Sequence, residues 1–106
     1  MTDKIYVFDI DGTICTNTDG DYEKAEPFGD VIETINKLHK NNKIIMMTAR
    51  GAVTGIDWTE FTKQQLASWG VNYHELIMNK KPYADVYVDD KAMNICSFRL
   101  IQKELK

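Results

Sequence analysis

Three segments of the chain are almost continuously apolar, and each of them ends in a polar side chain. They read KIYVFD, KIIMMT and ADVYVDD, and they span Lys4 to Asp9, Lys43 to Thr48 and Ala84 to Asp90. Strands that are covered on both faces have this composition, whereas a strand with one solvated face alternates apolar and polar residues. The three segments therefore predict buried strands of a sheet that is covered on both sides.

Two segments with helical periodicity follow the first two strands. Pro27 opens the first helix, Asn41 and Asn42 end it, and one face is formed by Val31, Ile32, Ile35 and Leu38. In the second helix Asp57 precedes Glu60 by three residues, as in a capping box, and Gly70 ends the helix. We expect its inward-facing residues to be Phe61, Leu66 and Trp69.

The order of elements completes the predicted fold. Residues 74–78 add a short strand, and residues 97–105 add a final helix. The resulting order, βαβαββα in one domain of residues 1–106, predicts an α/β fold with a mainly parallel sheet covered by helices. Before the first helix, the dipeptide Asp19-Gly20 is a two-residue turn signal, so a small surface hairpin is expected at about residues 14–26.

Composition and charge restrict the partners and the compartment. The chain is 43% hydrophobic and 27% charged, with a net charge of −3, which argues against nucleic acid or an anionic membrane as a partner. Cys15 and Cys96 have no metal-type spacing, and we interpret them as reduced thiols. With no basic-then-apolar leader and no long apolar run in the sequence, we expect a cytoplasmic protein.

Residues capable of chemistry follow or precede the predicted strands, where α/β sheets bind their ligands. They are Asp9, Asp11, Thr48, Lys81, Asp89 and Asp90. A cluster of carboxylates is unfavourable unless a hard cation lies among them, and Mg²⁺ prefers such oxygen ligands. Zinc is disfavoured because no cysteine or histidine has ligand spacing. The sequence therefore predicts a Mg²⁺ site at the carboxyl edge of the sheet.

A phosphoryl group fits such a site, because its negative charge needs both a metal ion and a nearby ammonium group. We assign Asp9 as the nucleophile that forms an aspartyl-phosphate, and Asp11 as general acid and then general base. Lys81 can supply the ammonium group, and Thr48 a hydroxyl donor. The loop amides around Ile10 to Gly12 can supply further donors.

Each of these signals alone has an ordinary structural explanation. Asp-x-Asp-Gly is most often a turn, an Asp-Asp pair is more often a helix N-cap than a metal ligand, and a single lysine is usually solvated. Their combination at one sheet edge favours a functional site. Among the other candidates, we expect His39 at a helix end on the surface, His74 in a structural role and Trp69 in the core. Trp58 could border the pocket.

The same residues resemble the motifs of the haloacid dehalogenase superfamily of phosphohydrolases. FDIDGT is similar to its first motif, TAR to its second, KP to its third and VDD to its fourth. The resemblance implies that Asp9 is the nucleophile, that Asp11 is the acid and base, and that Thr48 contacts phosphate. Ala49 and Arg50 belong to the same phosphate-binding motif. Lys81 matches the third motif, although the adjacent Lys80 could substitute for it.

The resemblance also implies how the metal is held. Asp90 best matches the metal ligand of the fourth motif, and Asp89 is then a second ligand or an outer partner. Asp11 would bind Mg²⁺ through its backbone carbonyl, beside the carboxylate of Asp9. The family often has another acid after three intervening residues, and here that position is Asn94.

The implied fold is a Rossmann-like three-layer sandwich, and no segment of the chain fits a cap domain. An open site needs either a large substrate or a second subunit, such as another copy of this chain, to close it. The acidic residues Asp19, Asp21 and Glu23 should repel polyanions. We therefore expect a small phosphorylated metabolite, such as a sugar or polyol phosphate. The run TARG…TGIDW…KPYADVYVDDKA is also similar to stand-alone phosphatases encoded with bacterial surface-polysaccharide pathways.

Three alternatives remain open from the sequence. An uncapped site also suits a protein or nucleic-acid phosphatase. A signalling receiver domain phosphorylates an aspartate on a similar sheet, but there the acidic pair comes near the start of the chain and the lysine comes last. The third is a binding protein that kept the fold and lost activity. The intact set of site residues argues against it, because such a carboxylate cluster weakens the fold without its cation.

Overall fold

The computed structural model describes residues 4–79 and 86–88. Its strands are β1 (Ile5–Asp9), β2 (Lys43–Thr48), β3 (Glu75–Met78) and β4 (Val86–Val88). Its helices are α1 (Gly29–His39) and α2 (Thr59–Ser68), and a single 3₁₀ turn spans Tyr22–Lys24. The final helix expected at 97–105 lies outside the described residues. So do Lys80, Lys81, Asp89, Asp90, Asn94 and Cys96.

The four strands form one parallel sheet in the order β3-β2-β1-β4. β1 therefore has a hydrogen-bonded neighbour on each side. The prediction of an α/β fold with a parallel sheet is confirmed, and β2 has the predicted bounds. In the described part of the chain, no helix combines the length and the apolar character needed to cross a membrane.

Both faces of β1 and β2 are buried, as their continuous apolar sequences predict. Tyr6 and Phe8 of β1 belong to the main core cluster, in which the other strand residues are Ile44, Met46 and Val88. Val7 and Ile45, whose side chains alternate to the opposite face, are also buried. A strand of this kind has no solvated face, so a ligand can reach its side chains only at the ends of the strand.

Helix α1 packs against β2 through the periodic apolar face that the sequence predicts. Its buried residues are Val31, Ile32, Thr34, Ile35 and Leu38. The helix begins two residues later than expected, at Gly29, because the first helical hydrogen bond runs from the amide of Ile32 to the carbonyl of Phe28. Trp69, at the end of α2, is half-buried and packs against the same core.

The segment expected to be a hairpin forms the turn but not the strands. Asp19 and Gly20 both have positive φ, as a type I′ turn requires, and the amide of Asp21 donates to the carbonyl of Thr18. Beyond the turn the backbone forms the 3₁₀ turn. Antiparallel pairing returns at the base, where Cys15 is level with Pro27 and the amide of Thr16 donates to the carbonyl of Glu26 at 2.9 Å. The segment therefore has the turn and the antiparallel base of the expected hairpin, while Tyr22 in between packs against distant residues, which are described below.

The start of α2 also differs from the expected capping box. The N-cap residue is Trp58, and the Asp57 carboxylate accepts a hydrogen bond from the amide of Thr59 at 2.9 Å. This bond to the residue two positions on is an Asx-turn. Hydrogen bonding from the Thr59 side chain, followed by that from its backbone amide, lowers the pKa of Asp57. In α2 itself Leu66 is fully buried, but Phe61 is only half-buried.

The two histidines stack on each other at the opposite end of the sheet, with ring centroids 4.3 Å apart. The amide of Ile44 donates to Nδ1 of His74 at 3.0 Å, which confirms a structural role for His74. His39 is half-buried by this stacking, and burial followed by the charge of His74 lowers its pKa. The helix-dipole stabilisation expected for His39 is therefore not the dominant influence on it.

Candidate functional site

The parallel register brings the ends of the strands to one edge. Asp9 at the end of β1 is level with Met47, Phe8 is level with Val88, and Thr48 is level with Met78. The half-buried nucleophile candidate Asp9 and the candidate phosphate donor Thr48 thus end adjacent strands at the same edge. Four further predicted site residues lie outside the described residues: Lys80, Lys81, Asp89 and Asp90.

The chain turns sharply immediately after β1. The amide of Ile10 donates to the carbonyl of Met47 at 3.1 Å, and the amide of Gly12 donates to the carbonyl of Cys15 at 2.9 Å. Gly12 has a φ of +87°, a conformation that glycine adopts without strain. Both amides have partners within the protein, so Ile10 and Gly12 do not present their amides to a ligand in this geometry. Phosphate binding by the loop as a whole stays a prediction.

The second carboxylate of the Asp-x-Asp pair has an arginine partner. Nε of Arg50 donates to Oδ2 of Asp11 at 3.0 Å, and one terminal nitrogen donates to Oδ1 at 2.9 Å. The Arg50 side chain is 0% exposed and that of Asp11 is 19% exposed. A two-pronged, charge-assisted contact of this kind fixes orientation as well as charge. Arg50 therefore offsets the repulsion expected between the carboxylates of Asp9 and Asp11.

Arg50 is itself anchored by three other groups. Its second terminal nitrogen donates to Oγ1 of Thr62 at 3.2 Å and to Oε1 of Gln65 at 2.8 Å. The guanidinium carbon lies 4.4 Å from the centre of the Tyr22 ring, within the range of a cation–π contact. The amide nitrogen of Gln65 donates in turn to the carbonyl of Tyr22 at 2.8 Å. We call these five residues the Arg50 network: Asp11, Tyr22, Arg50, Thr62 and Gln65.

The network changes the interpretation of Arg50. The TAR sequence predicts that Arg50 binds phosphate, but its guanidinium is buried and directed to Asp11 within the protein. Sequence reasoning missed Tyr22, Thr62 and Gln65. One signal was available for Thr62, because it lies four residues before the buried Leu66 on α2. A polar side chain on a buried helix face needs a hydrogen-bond partner.

Thr48 retains the capacity to donate to a ligand. It is buried, and its hydroxyl oxygen accepts a bond from the amide of Arg50 at 3.1 Å. A hydroxyl that accepts through oxygen still has its own hydrogen to donate. The hydroxyl therefore has the donor that the predicted contact with phosphate requires, and the contact itself stays a prediction.

Cys15 lies beside the site but is not a nucleophile. Its sulfur is 3.6 Å from the carbonyl oxygen of Ile10 and 3.8 Å from Oδ1 of Asp11. Burial, followed by the charge of Asp11, raises the pKa of the Cys15 thiol to about 12. The thiolate is the reactive form, so this cysteine is inert at neutral pH.

A cavity of about 210 Å³ adjoins the carboxyl edge at Ala49. Tyr22 and Trp58 provide aromatic walls, with ring centroids 4.9 Å apart. The remaining lining comes from the turn at Gly20 and from residues of the loop after β2, of which Val53 is 99% and Ile56 is 55% exposed. Trp58 therefore lines a cavity beside this edge, and its place in the reaction pocket stays a prediction.

We expect Gly51→Ala to disrupt this cavity and to lower the free energy of unfolding. Gly51 has a φ of +85°, and an added Cβ would overlap the carbonyl oxygen of Ile56 and approach Trp58 to 3.2 Å. The backbone strain alone costs about 1–3 kcal/mol, and the overlap adds to it. The measurement is urea unfolding.

Gly55→Ala is the matched control for this substitution. Gly55 has a similar φ of +76°, but an added Cβ there meets nothing within 4 Å. Its loss should therefore reflect the backbone strain alone. If the two variants lost the same free energy of unfolding, the overlap between the added Cβ at position 51 and the carbonyl oxygen of Ile56 would contribute nothing.

Among the residues that the structure describes, no group of three or more acidic, histidine or cysteine side chains could hold a metal ion. The predicted ligand set is divided between Asp9 and Asp11, which are described, and Asp89 and Asp90, which are not. Because Arg50 contacts both carboxylate oxygens of Asp11, the side chain of Asp11 is directed to arginine. The backbone carbonyl of Asp11 is therefore the group of this residue that could bind Mg²⁺.

A solved structure is similar to this chain over nearly its whole length. No family model matches the chain, and no curated protein matches it. A crystal structure of a structural genomics target from Vibrio cholerae is similar, with a TM-score of 0.67 and 26% sequence identity. The similarity covers 97% of this chain and 99% of that one. The relative therefore shares the architecture over nearly its whole length.

Proposed function

We propose that the protein is a Mg²⁺-dependent phosphomonoester hydrolase, working through an aspartyl-phosphate on Asp9, in a cytoplasmic domain of the haloacid dehalogenase type. The proposal includes the finer architecture, a Rossmann-like three-layer sandwich without a cap. The observation that carries it is the placement of Asp9 and Thr48 at the ends of adjacent parallel strands, with Asp11 held two residues beyond Asp9.

The reaction follows from these positions in two halves. Asp11 begins the reaction in its neutral acid form. The carboxylate of Asp9 attacks phosphorus, the bond to the leaving oxygen breaks, and that oxygen takes the proton of the Asp11 carboxyl group. Asp11 then takes a proton from a water molecule that attacks the phosphoenzyme, which regenerates Asp9 and releases inorganic phosphate. Thr48 donates its hydroxyl hydrogen to a phosphate oxygen. Lys81 is assigned the remaining charge stabilisation on the basis of sequence.

The donor set suits a hard cation. Bound Mg²⁺ would offset the charge between the attacking carboxylate and the phosphoryl group. The carboxylate of Asp9 and the backbone carbonyl of Asp11 would hold it, together with Asp90 and with Asp89 as a second or outer ligand. The pairing of the Asp11 side chain with Arg50 supports this division between side chain and backbone.

The cavity supports a small sugar or polyol phosphate as substrate. A volume of about 210 Å³ suits one sugar-sized leaving group, and aromatic walls are suited to the apolar face of a ring. Three exposed acidic residues flank Gly20 and Tyr22, which line the cavity, and their charge disfavours a polyanionic substrate. They are Asp19, Asp21 and Glu23. A protein or nucleic-acid phosphatase is the alternative, and it would need the same edge to accept a macromolecule.

We expect the purified protein with Mg²⁺ to hydrolyse a generic aryl phosphate and at least one member of a panel of sugar and polyol phosphates. A chelator should lower the rate by about 100-fold or more, in line with the loss of one strong charge stabiliser, and Mg²⁺ should restore it. Phosphate release is the measurement.

Three results would contradict the proposal. They are silence across the panel, activity that a chelator does not affect, and restoration by zinc but not by magnesium. A stable phosphorylated form without turnover would instead indicate a receiver domain. Faster release from phosphopeptides or oligonucleotides than from every metabolite would favour the alternative substrate.

A further inference from the structure

We propose that Arg50 is a positioning residue, which holds the Asp11 carboxylate in the orientation needed to protonate the leaving oxygen. This inference rests on the proposed function and adds to it a role for a side chain outside the reacting set. The two hydrogen bonds of 2.9 and 3.0 Å reach both carboxylate oxygens, so they fix the rotation of the carboxylate about its own axis. A single bond would leave that rotation free.

The anchoring of Arg50 makes it a rigid support. It is completely buried, and its remaining bonds go to Thr62 and Gln65 on α2, while Tyr22 covers its face. Besides Asp11, two segments of the chain therefore fix the guanidinium: helix α2 and the 3₁₀ turn at Tyr22. A side chain that must place a proton within a fraction of an ångström is best supported by groups that cannot move themselves.

The pairing leaves lone-pair positions on both oxygens of the Asp11 carboxyl group, which is 19% exposed. A carboxylate has about four lone-pair positions, and Arg50 uses one on each oxygen. The others can hold the proton that goes to the leaving oxygen and later the proton that comes from water. The competing role, a direct contact between Arg50 and phosphate, is disfavoured because the Arg50 side chain is 0% exposed.

The test compares two substrates whose leaving groups differ in basicity. A strongly basic leaving oxygen needs a proton from Asp11, whereas a weakly basic one can leave without it. Arg50→Lys keeps the charge but cannot form the two-pronged contact. We expect this variant to lose about 100-fold in kcat/KM for an alkyl phosphate such as glycerol phosphate, and less than about 5-fold for 2,4-dinitrophenyl phosphate. A purely structural role for Arg50 would lower both rates by the same factor.

Two further variants keep the test decisive if Arg50→Lys fails to fold. Gln65→Ala removes one anchor of the guanidinium while leaving Arg50 in place, and it should shift the ratio of the two rates in the same direction by about 10-fold. Lys63→Ala removes an exposed positive charge from the same helix, and it should leave the ratio unchanged. Thermal unfolding of each variant confirms that it is folded at the assay temperature.

A double-mutant comparison shows whether Arg50 acts through Asp11. In an Asp11→Asn background, Arg50→Lys should change the ratio of the two rates by less than about 2-fold, because the oriented acid is already absent. A full effect in that background, or an unchanged ratio in the single variant, would overturn the inference. A higher rate in Arg50→Lys would also overturn it, since Arg50 would then be restraining Asp11.

The two proposals can fail separately. If the wild-type protein hydrolyses phosphate esters and Asp9→Asn does not, the proposed function holds, and an unchanged rate ratio removes only the role of Arg50. If the wild-type protein hydrolyses none of the esters, the proposed function and the inference fail together.

Discussion

Asp9→Asn is expected to abolish turnover of phosphate esters, with a loss of about 10⁴-fold or more in kcat, while the fold remains intact. The amide has nearly the same shape as the carboxylate, but it is not an effective nucleophile toward phosphorus. Asp9 is the last residue of β1, and its backbone pairs with Met47 of β2. The strand therefore keeps its ladder when only the side-chain charge changes.

Phosphate release from an aryl phosphate measures this loss, and the mass of an acid-quenched phosphoenzyme locates the adduct. Wild-type protein should show a phosphoryl group on the peptide that contains Asp9, and the variant should show none. Asp57→Asn, at an exposed Asx-turn, is a control that should retain activity. If Asp9→Asn kept more than about a tenth of the wild-type rate, Asp9 could not be the nucleophile.

Asp11→Ala is expected to lower the free energy of unfolding by about 3–5 kcal/mol, because it leaves a buried guanidinium without its carboxylate. Arg50 has no exposed side-chain surface through which water could replace the lost bonds. A contrary effect exists, since removing one of two nearby carboxylates relieves repulsion with Asp9. That relief is small here because Arg50 already offsets the charge of Asp11.

Urea unfolding decides between these two effects. Asp11→Asn should lose less than Asp11→Ala, because the amide retains one oxygen that can accept from Arg50. Asp21→Ala breaks an exposed ion pair with Lys24 and should change stability by less than about 1 kcal/mol. An increase in stability for Asp11→Ala would mean that carboxylate repulsion dominates and that the Arg50 pairing is weak.

Much of the fold could be predicted from the sequence, because its strongest signals are local. The strands β1 and β2 are continuous apolar runs, and α1 has a clear 3.6-residue period, so each was placed within two residues. The turn at Asp19 was also correct, since a type I′ turn depends on the conformations that its own two residues can adopt.

The failures occur where distant residues decide the local structure. The 3₁₀ turn at Tyr22 replaces a predicted strand because the Tyr22 ring packs on Arg50 and Trp58, which lie 28 and 36 positions away in the sequence. The pairing of Asp11 with Arg50 spans 39 positions. No periodicity or propensity encodes such a contact. The TAR pattern shows that an arginine follows the strand, but not whether it faces a ligand or the protein.

The candidate site could be predicted only where it depends on the parallel sheet, and not where it depends on the packing of distant side chains. Asp9 and Thr48 could be placed together because parallel strands bring their ends to one edge. The partners of Arg50 on α2 could not be identified, because they depend on how that helix packs against the sheet.

The proposed nucleophile and the lining of the cavity lie on parts of the fold that differ in rigidity. The nucleophile candidate ends a strand that is held by a neighbour on each side, and such strands are among the last parts of a protein to open in local fluctuations. The cavity beside it is bounded largely by a surface loop, a kind of segment that tolerates sequence change. New leaving groups could therefore be accommodated by altering the loop, while the attacking oxygen keeps its place.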